Sequence, residues 1–356
     1  MNNSTPQKDY GTMTSSSQQP GRHWSDSEPN DLPTTFADLG VSREAATVQT
    51  FFGKRRPLSS LTHKEWAFAV ISILSILGAA GLTIERIVNV DKMSSDVTFA
   101  IVLLLTIGFC LLYVVNGLFG ERPYELIVFI IGTVILMLYS ISNYIQTVGE
   151  LTQYEKNIKM ARLILIAAAG PVNIVLGAMI AREYYISRNL IFRTVGANID
   201  LQNLCSKIFF TESLFKIDLQ LELSLVILVL KEGFSEFSTL EIVVLAVGTV
   251  YALVWFLVGL FAMRLENTVL MYLLWIFSIF EPAYIVYKIV DLGMEWNSPD
   301  YYQNVRAAII LGGACGLFVR CSLIGCTVYV YRNFGKGMKE KAYGEFICKP
   351  EDVQET

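Results

Sequence analysis

Apolar residues along this chain come in long unbroken runs separated by short polar stretches. They neither alternate as in strands nor form the narrow stripe of a soluble helix. Eight runs approach or exceed the roughly 20 residues needed to cross a bilayer as a helix. They lie near 65–88, 97–119, 124–147, 160–184, 210–231, 239–263, 268–290 and 306–331. The expected fold class is therefore an all-α polytopic membrane protein with eight transmembrane helices. Mean hydropathy of +0.47, with 53% hydrophobic and 17% charged residues, excludes an ordinary soluble domain.

The fifth run tests this reading, because in TESLFKIDLQLELSLVILVLKEG it carries Glu212, Lys216, Asp218 and Glu222. If the helix began after the last of these charges, its apolar remainder would span about 12 Å, too short for ~30 Å of hydrocarbon. The charges must therefore enter the membrane with it. A helical wheel gives this span a broad polar face directed inward and predicts a lipid-facing stripe of Leu214, Ile217, Leu221 and Leu228. Each uncompensated charge at mid-membrane costs about 2.5–3.5 kcal/mol on insertion scales, so partners are expected. Arg320 lies in the eighth span between the depths of Asp218 and Glu222 and is predicted to pair with one or both. Glu212 and Lys216 have the i,i+4 spacing of a pair within the helix.

Two other spans carry breaks beside polar groups. Pro282 follows Glu281 in the seventh, and Pro171 follows Gly170 and precedes Asn173 in the fourth. A proline removes a backbone donor and crowds the preceding turn, so helix breaks are expected at Pro171 and Pro282.

The halves resemble one another. LLYVVNGLFGERPYE (111–125) aligns without gaps with LVWFLVGLFAMRLEN (253–267), which makes Gly117 equivalent to Gly259 and Arg122 to Arg264. The following spans match at a similar offset, and Asn173 falls opposite Arg320. A 4+4 tandem, parallel repeat is the expected organisation. The glycines would allow close helix approach, and the arginines, in tight turns, would reach lipid phosphate or cap helix C-termini. The second half holds Asp218, Glu222, Glu281 and Arg320 where the first holds mainly neutral Asn116, Asn143 and Asn173. It is the better place for a polar intramembrane site.

The implied domains are a disordered cytoplasmic tail over 1–64, a first membrane repeat over 65–185 and a cytoplasmic linker over 186–209. A second repeat over 210–332 and a C-terminal tail over 333–356 follow. Fourteen Lys and Arg flank one side of the membrane against eight on the other, which puts both termini in the cytoplasm. None of the six cysteines falls in an outer loop, so a disulfide framework is not expected. Cys205, Cys326 and Cys348 lie near the inner surface, where acylation is conceivable but ordinary thiols are the commoner outcome. Tyr343 to Phe346 fits a short sorting-adaptor pattern that is frequent by chance.

A net charge of −4 and the absence of a basic aromatic patch set nucleic acid aside. Both histidines, His23 and His63, lie in the N-terminal tail, so no membrane histidine cluster is available for a metal or a hydrolase, and no enzyme, cofactor or metal is expected. The chain shows no convincing resemblance to a characterised receptor, channel or transporter family. The expected partners are the lipid bilayer, an ion or small polar solute, and cytosolic adaptors through the tails. The expected location is the plasma membrane or endosomal system, and oligomeric state is open. A channel or transporter-like activity stands against a receptor-like or adaptor protein whose buried charges are structural.

Overall fold

The computed structural model describes residues 48–50, 53–89, 95–147, 153–228, 239–294 and 303–339. All of them belong to one compact unit, Ala45–Thr356. Two three-residue strands, β1 (Val48–Thr50) and β2 (Gly53–Arg55), pair antiparallel before a single 3-10 turn. The elements that follow among the described residues are all helices: α1 (His63–Asn89), α2 (Ser95–Phe119), α3 (Pro123–Thr147), α4 (Gln153–Ser187), α5 (Asn189–Val195), α6 (Ile199–Ile227), α7 (Thr239–Arg264), α8 (Thr268–Phe277), α9 (Phe280–Met294) and α10 (Gln303–Tyr331).

Among the described residues, six helical stretches are long and apolar enough to cross a membrane: α1, most of α2, α4 with α5, most of α7, α8 with most of α9, and most of α10. The two expected spans outside that set are α3, whose qualifying apolar stretch is the shorter Pro123–Leu138, and the charged α6.

The helices form two bundles with the same neighbour order. In the first, α1 packs on α2 and α4, and α3 packs on α2 and α4. In the second, α6 packs on α7 and α10, while α8 contacts α7 and α9 contacts α10. The bundles meet where α6 lies on α2 and α3. Because α6 is covered by both bundles, no residue from 208 to 228 is exposed. The expected lipid stripe is thereby corrected. Leu214 and Leu228 are buried and Ile217 and Leu221 only partly accessible, since the wheel assumes an outer face that a central helix lacks.

Helix boundaries follow local chemistry. Thr62 and Glu65 form a capping box at α1, with the Thr62 amide donating to Glu65 Oε2 at 2.7 Å. Asn198 and Asn267 cap α6 and α8 by accepting from the amides two and three residues on. The seventh span breaks after Phe277 rather than at the proline. Pro282 has no N–H for the Ser278 carbonyl four residues upstream, and the helix separates there into α8 and α9. At Pro171 the expected break does not occur, and α4 is continuous through it. Extensive packing of α4 along α3 and α1 holds both sides of the proline in line.

Other boundaries move as well. Residues 53–62, which hydropathy alone assigns to a disordered tail, include β2 and two arginines anchored on the bundle. The 186–209 linker is largely α5 and the first turns of α6. Most of the N-terminal tail, Tyr343 to Phe346 and Cys348 lie outside the described residues, as does the Asn143 side chain. Cys205 is fully buried, which removes it as an acylation site in this conformation.

Candidate functional site: a buried ionic cluster beside an intramembrane cavity

Asp218 and Glu222 are four residues apart on α6 and so share one face. That face meets α10, where Arg320 is completely buried. Arg320 Nη2 lies 2.9 Å from Asp218 Oδ2 and is ion-paired with Glu222. The same nitrogen also pairs with Glu281, which the α8–α9 break places in the first turn of α9. The Arg320 guanidinium carbon sits 3.6 Å from the Trp255 ring centroid, so a cation–π contact from α7 completes its surroundings. All three carboxylates are buried. Their oxygens come within 4.8 Å of one another, an arrangement that could hold a cation were the guanidinium not already there.

Three carboxylates facing one guanidinium leave a formal excess of two negative charges. In a low-dielectric interior such an excess is relieved by protons or by a bound cation. Glu222 and Glu281 lie close enough to share a hydrogen bond, which one of them can donate only when protonated. Glu222 and Glu281 also line a cavity of about 470 Å³ walled by α6, α7, α8 and α9.

In the first bundle, Asn173 occupies the place that sequence alignment makes equivalent to Arg320. It accepts from Ser72 Oγ at 3.0 Å and donates to Ser75 Oγ at 3.1 Å. A smaller cavity of about 70 Å³, lined by Ser75, Thr133, Ser140 and Asn173 among others, adjoins this neutral group.

A second ionic network sits at the opposite end of the α6 charged stretch, and it corrects two expectations. Glu212 does not pair with Lys216. It receives Arg122 at 2.5 Å and Arg264 at 3.2 Å, while Lys216 pairs with Glu125 at the start of α3. Glu125 is also 3.5 Å from Arg122. The two arginines expected at lipid phosphate or helix ends are instead buried on one carboxylate, because α6 brings Glu212 between the bundles. They are also not at matching turn positions. Arg122 immediately precedes α3, whereas Arg264 is the last residue of α7.

Arg55 from β2 donates to Asn116 and lies within electrostatic reach of Arg122, Glu125, Arg264 and Glu212. Burial, then the neighbouring Arg122, pulls its guanidinium below the ordinary arginine value. Arg55, Arg56, Arg122, Lys216 and Arg264 against Glu65, Glu121, Glu125 and Glu212 give this end a formal excess of one positive charge. Nearby, Arg56 binds Glu65, Tyr184 at 2.6 Å and the Leu118 carbonyl at 3.2 Å, fixing the hairpin to α1, α2 and α4.

Gly117 and Gly259 do serve close packing. A Cβ at Gly117 would come within 2.6 Å of Leu126, and one at Gly259 would collide with the Phe215 ring. Sequence reasoning missed Glu125 and Trp255. Glu125 was visible as an acidic residue in the first turn of an apolar helix, but nothing in the chain marks Trp255.

Six stretches of helix among the described residues, long and apolar enough to cross a bilayer and packed around buried, paired charges, are compatible with an integral membrane protein. Residues 52–182 and again 195–329 match the family described as a domain of unknown function, DUF7789, and the chain belongs to that family. No curated protein and no solved structure matches the chain.

Proposed function

We propose that the protein is an eight-span membrane protein built as two four-span repeats, with both termini cytoplasmic, and that it is transporter- or channel-like. Two features support eight spans. The helix α3 has 25 residues, and α6 is shielded from lipid by its neighbours, so its charges are no obstacle to its crossing. The repeat is supported by the twofold family match, by the shared neighbour order and by the alignment of Asn173 with Arg320. The charge bias across the membrane supports the orientation.

The site is Asp218, Glu222, Glu281 and Arg320. One observation carries the reading: two carboxylates of an over-acidic buried cluster line a cavity large enough for a small solute. A cation or proton arriving there would compete with Arg320 for the same oxygens, and that exchange is the elementary step of coupled transport. No catalytic group is assigned. The tails, with the Tyr343 to Phe346 pattern, are the place for cytosolic adaptors, and the plasma membrane or endosomal system remains the proposed location.

The test is flux of protons and monovalent cations into vesicles holding the full chain, beside Glu222→Gln, Glu281→Gln and Arg320→Ala. The reading expects flux in the parent and its loss in each carboxylate variant. Equal leak in parent and empty vesicles, under every imposed gradient, would sink it.

A second reading is favoured by the network around Glu212. Its excess positive charge stands between the acidic cluster and the cytoplasmic end and would repel a departing cation. A receptor-like protein that binds its ligand without passing it across would need no exit there. Under the transport reading the same network is a closed gate, and Lys216→Gln, which removes one of its positive charges, should raise flux.

A further inference from the structure

Next to the cavity at Glu222 and Glu281 is a second hollow of about 530 Å³, lined by α7 and α8 residues including Val250, Val254 and Leu273. The two share Val247, Tyr251 and Phe277 as walls. The second is lined by aliphatic and aromatic side chains, with the Tyr251 hydroxyl, which donates to the Phe277 carbonyl at 2.7 Å, as its polar side-chain group beside the buried Trp255. Val247, Val250, Val254, Phe277 and Phe280 are all exposed on the bundle's outer face. In a helix bundle embedded in lipid, that face looks onto hydrocarbon rather than water. The compartment therefore opens sideways between α7 and the α8–α9 break. Its acidic end is deep and its apolar end is long.

From this geometry we infer that the site takes a single-chain amphipathic amine, a protonated amino group on a hydrocarbon tail, which enters laterally from the bilayer. The ammonium sits against Glu222 and Glu281, and the tail lies along α7 in the adjoining hollow. A small hydrated cation fits the acidic end but leaves the apolar hollow unexplained. An uncharged lipid chain fits the hollow but leaves the excess negative charge of three carboxylates on one guanidinium uncompensated. The amphipathic amine satisfies both ends, with charge complementarity choosing the head and apolar surface the tail. This inference names a ligand class for the site proposed above and rests on that assignment of the site, although it does not require transport.

The experiment uses the full chain in phosphatidylcholine nanodiscs, with radiolabelled dodecylamine as probe and empty nanodiscs as the measure of partitioning. Saturable binding is expected, with unlabelled methylamine and dodecanol each competing at least tenfold more weakly than dodecylamine. Glu222→Gln combined with Glu281→Gln should weaken binding at least tenfold. So should Val247→Trp, which fills the shared wall from an exposed position. Ser75→Ala, in the first bundle, should leave binding unchanged. Elution profile and circular dichroism confirm that each variant is folded.

Equal competition by dodecanol would reduce the compartment to a lipid groove, and equal competition by methylamine would reduce it to a small-cation site. Undiminished binding to Val247→Trp would put the amine elsewhere. Any of the three overturns the inference. Flux assays on the same purified chain reconstituted into sealed phosphatidylcholine vesicles separate it from the broader reading. Cation flux without dodecylamine binding defeats the amine and keeps transport, whereas saturable dodecylamine binding without any flux keeps the amine and defeats transport.

Discussion

The first bundle closes around Asn173 with two serines, and the second closes around Arg320 with three carboxylates. Asn173 and Arg320 are 147 residues apart, and so are Ser75 and Glu222, the α1 and α6 residues that meet them. The two places share this spacing, but one is neutral and the other ionic. A four-helix bundle of this neighbour order evidently does not need charge at that position to pack. Neutral buried hydrogen bonds contribute about 0.5–1.5 kcal/mol each, whereas each buried ion carries a desolvation penalty of several kcal/mol. The second bundle bears a cost that the first avoids, and a functional role for the ions is the simplest reason for retaining it.

The difference can be broken most forcefully at Arg320. Arg320→Ala leaves Asp218, Glu222 and Glu281 with no buried cation, and removing one member of such a pair costs about 3–5 kcal/mol. Thermal unfolding in detergent should show a large loss of stability or failure to purify as a single species. A midpoint within a degree or two of the parent would mean that the carboxylates are already neutral or solvated. Next in size is the packing below the clusters. Gly259→Ala forces a methyl into the fully buried Phe215 ring, and overpacking of this kind costs about 1–3 kcal/mol. Gly117→Ala meets the equally buried Leu126 at 2.6 Å, a milder overlap than the one at Phe215, and should cost less. The reverse order in the same unfolding measurement would remove this asymmetry between the bundles.

How much of this was legible in the chain depends on whether depth or direction decides. Depth along an apolar run is one-dimensional and readable. It set Arg320 level with Asp218 and Glu222, and the three meet. Direction around a helix depends on what surrounds it. A wheel assigns every helix a lipid side, so it could not show that α6 lies between two bundles, nor that Arg122 and Arg264 would turn inward to Glu212. Proline marked a break at α8–α9 and none in α4, because the same missing N–H is tolerated where neighbouring helices hold both turns. Glu281 reached the cluster through that break, and its sequence position gave only its presence in an apolar helix.

A smaller effect is expected at the neutral position. Asn173→Ala removes an acceptor and a donor that hold α4 to α1, and about 1 kcal/mol should be lost, read as a modest fall in the unfolding midpoint. A fall as large as that of Arg320→Ala would make the neutral cluster as critical as the ionic one, and the contrast between bundles would lose its force.

The smallest stability change, and the sharpest test, comes from making the second cluster neutral. Asp218→Leu, Glu222→Met, Glu281→Met and Arg320→Met together keep the approximate volumes and remove every charge. Replacing a complete buried ionic group by apolar residues of similar volume is often neutral or stabilising, by up to about 1–4 kcal/mol. The fourfold variant should therefore unfold no earlier than the parent, although Arg320→Ala alone is severely destabilised. If the charges serve binding, the variant will be stable and will lose the cation-dependent behaviour of the parent. If they serve only to register α6 against α10, the variant will populate more than one packing arrangement, seen as a broadened unfolding transition and heterogeneous elution. Stability and uniqueness together, with flux or ligand binding intact, would contradict both roles. Stability and uniqueness with function lost would place the reason for the ionic cluster in its ligand rather than in the fold.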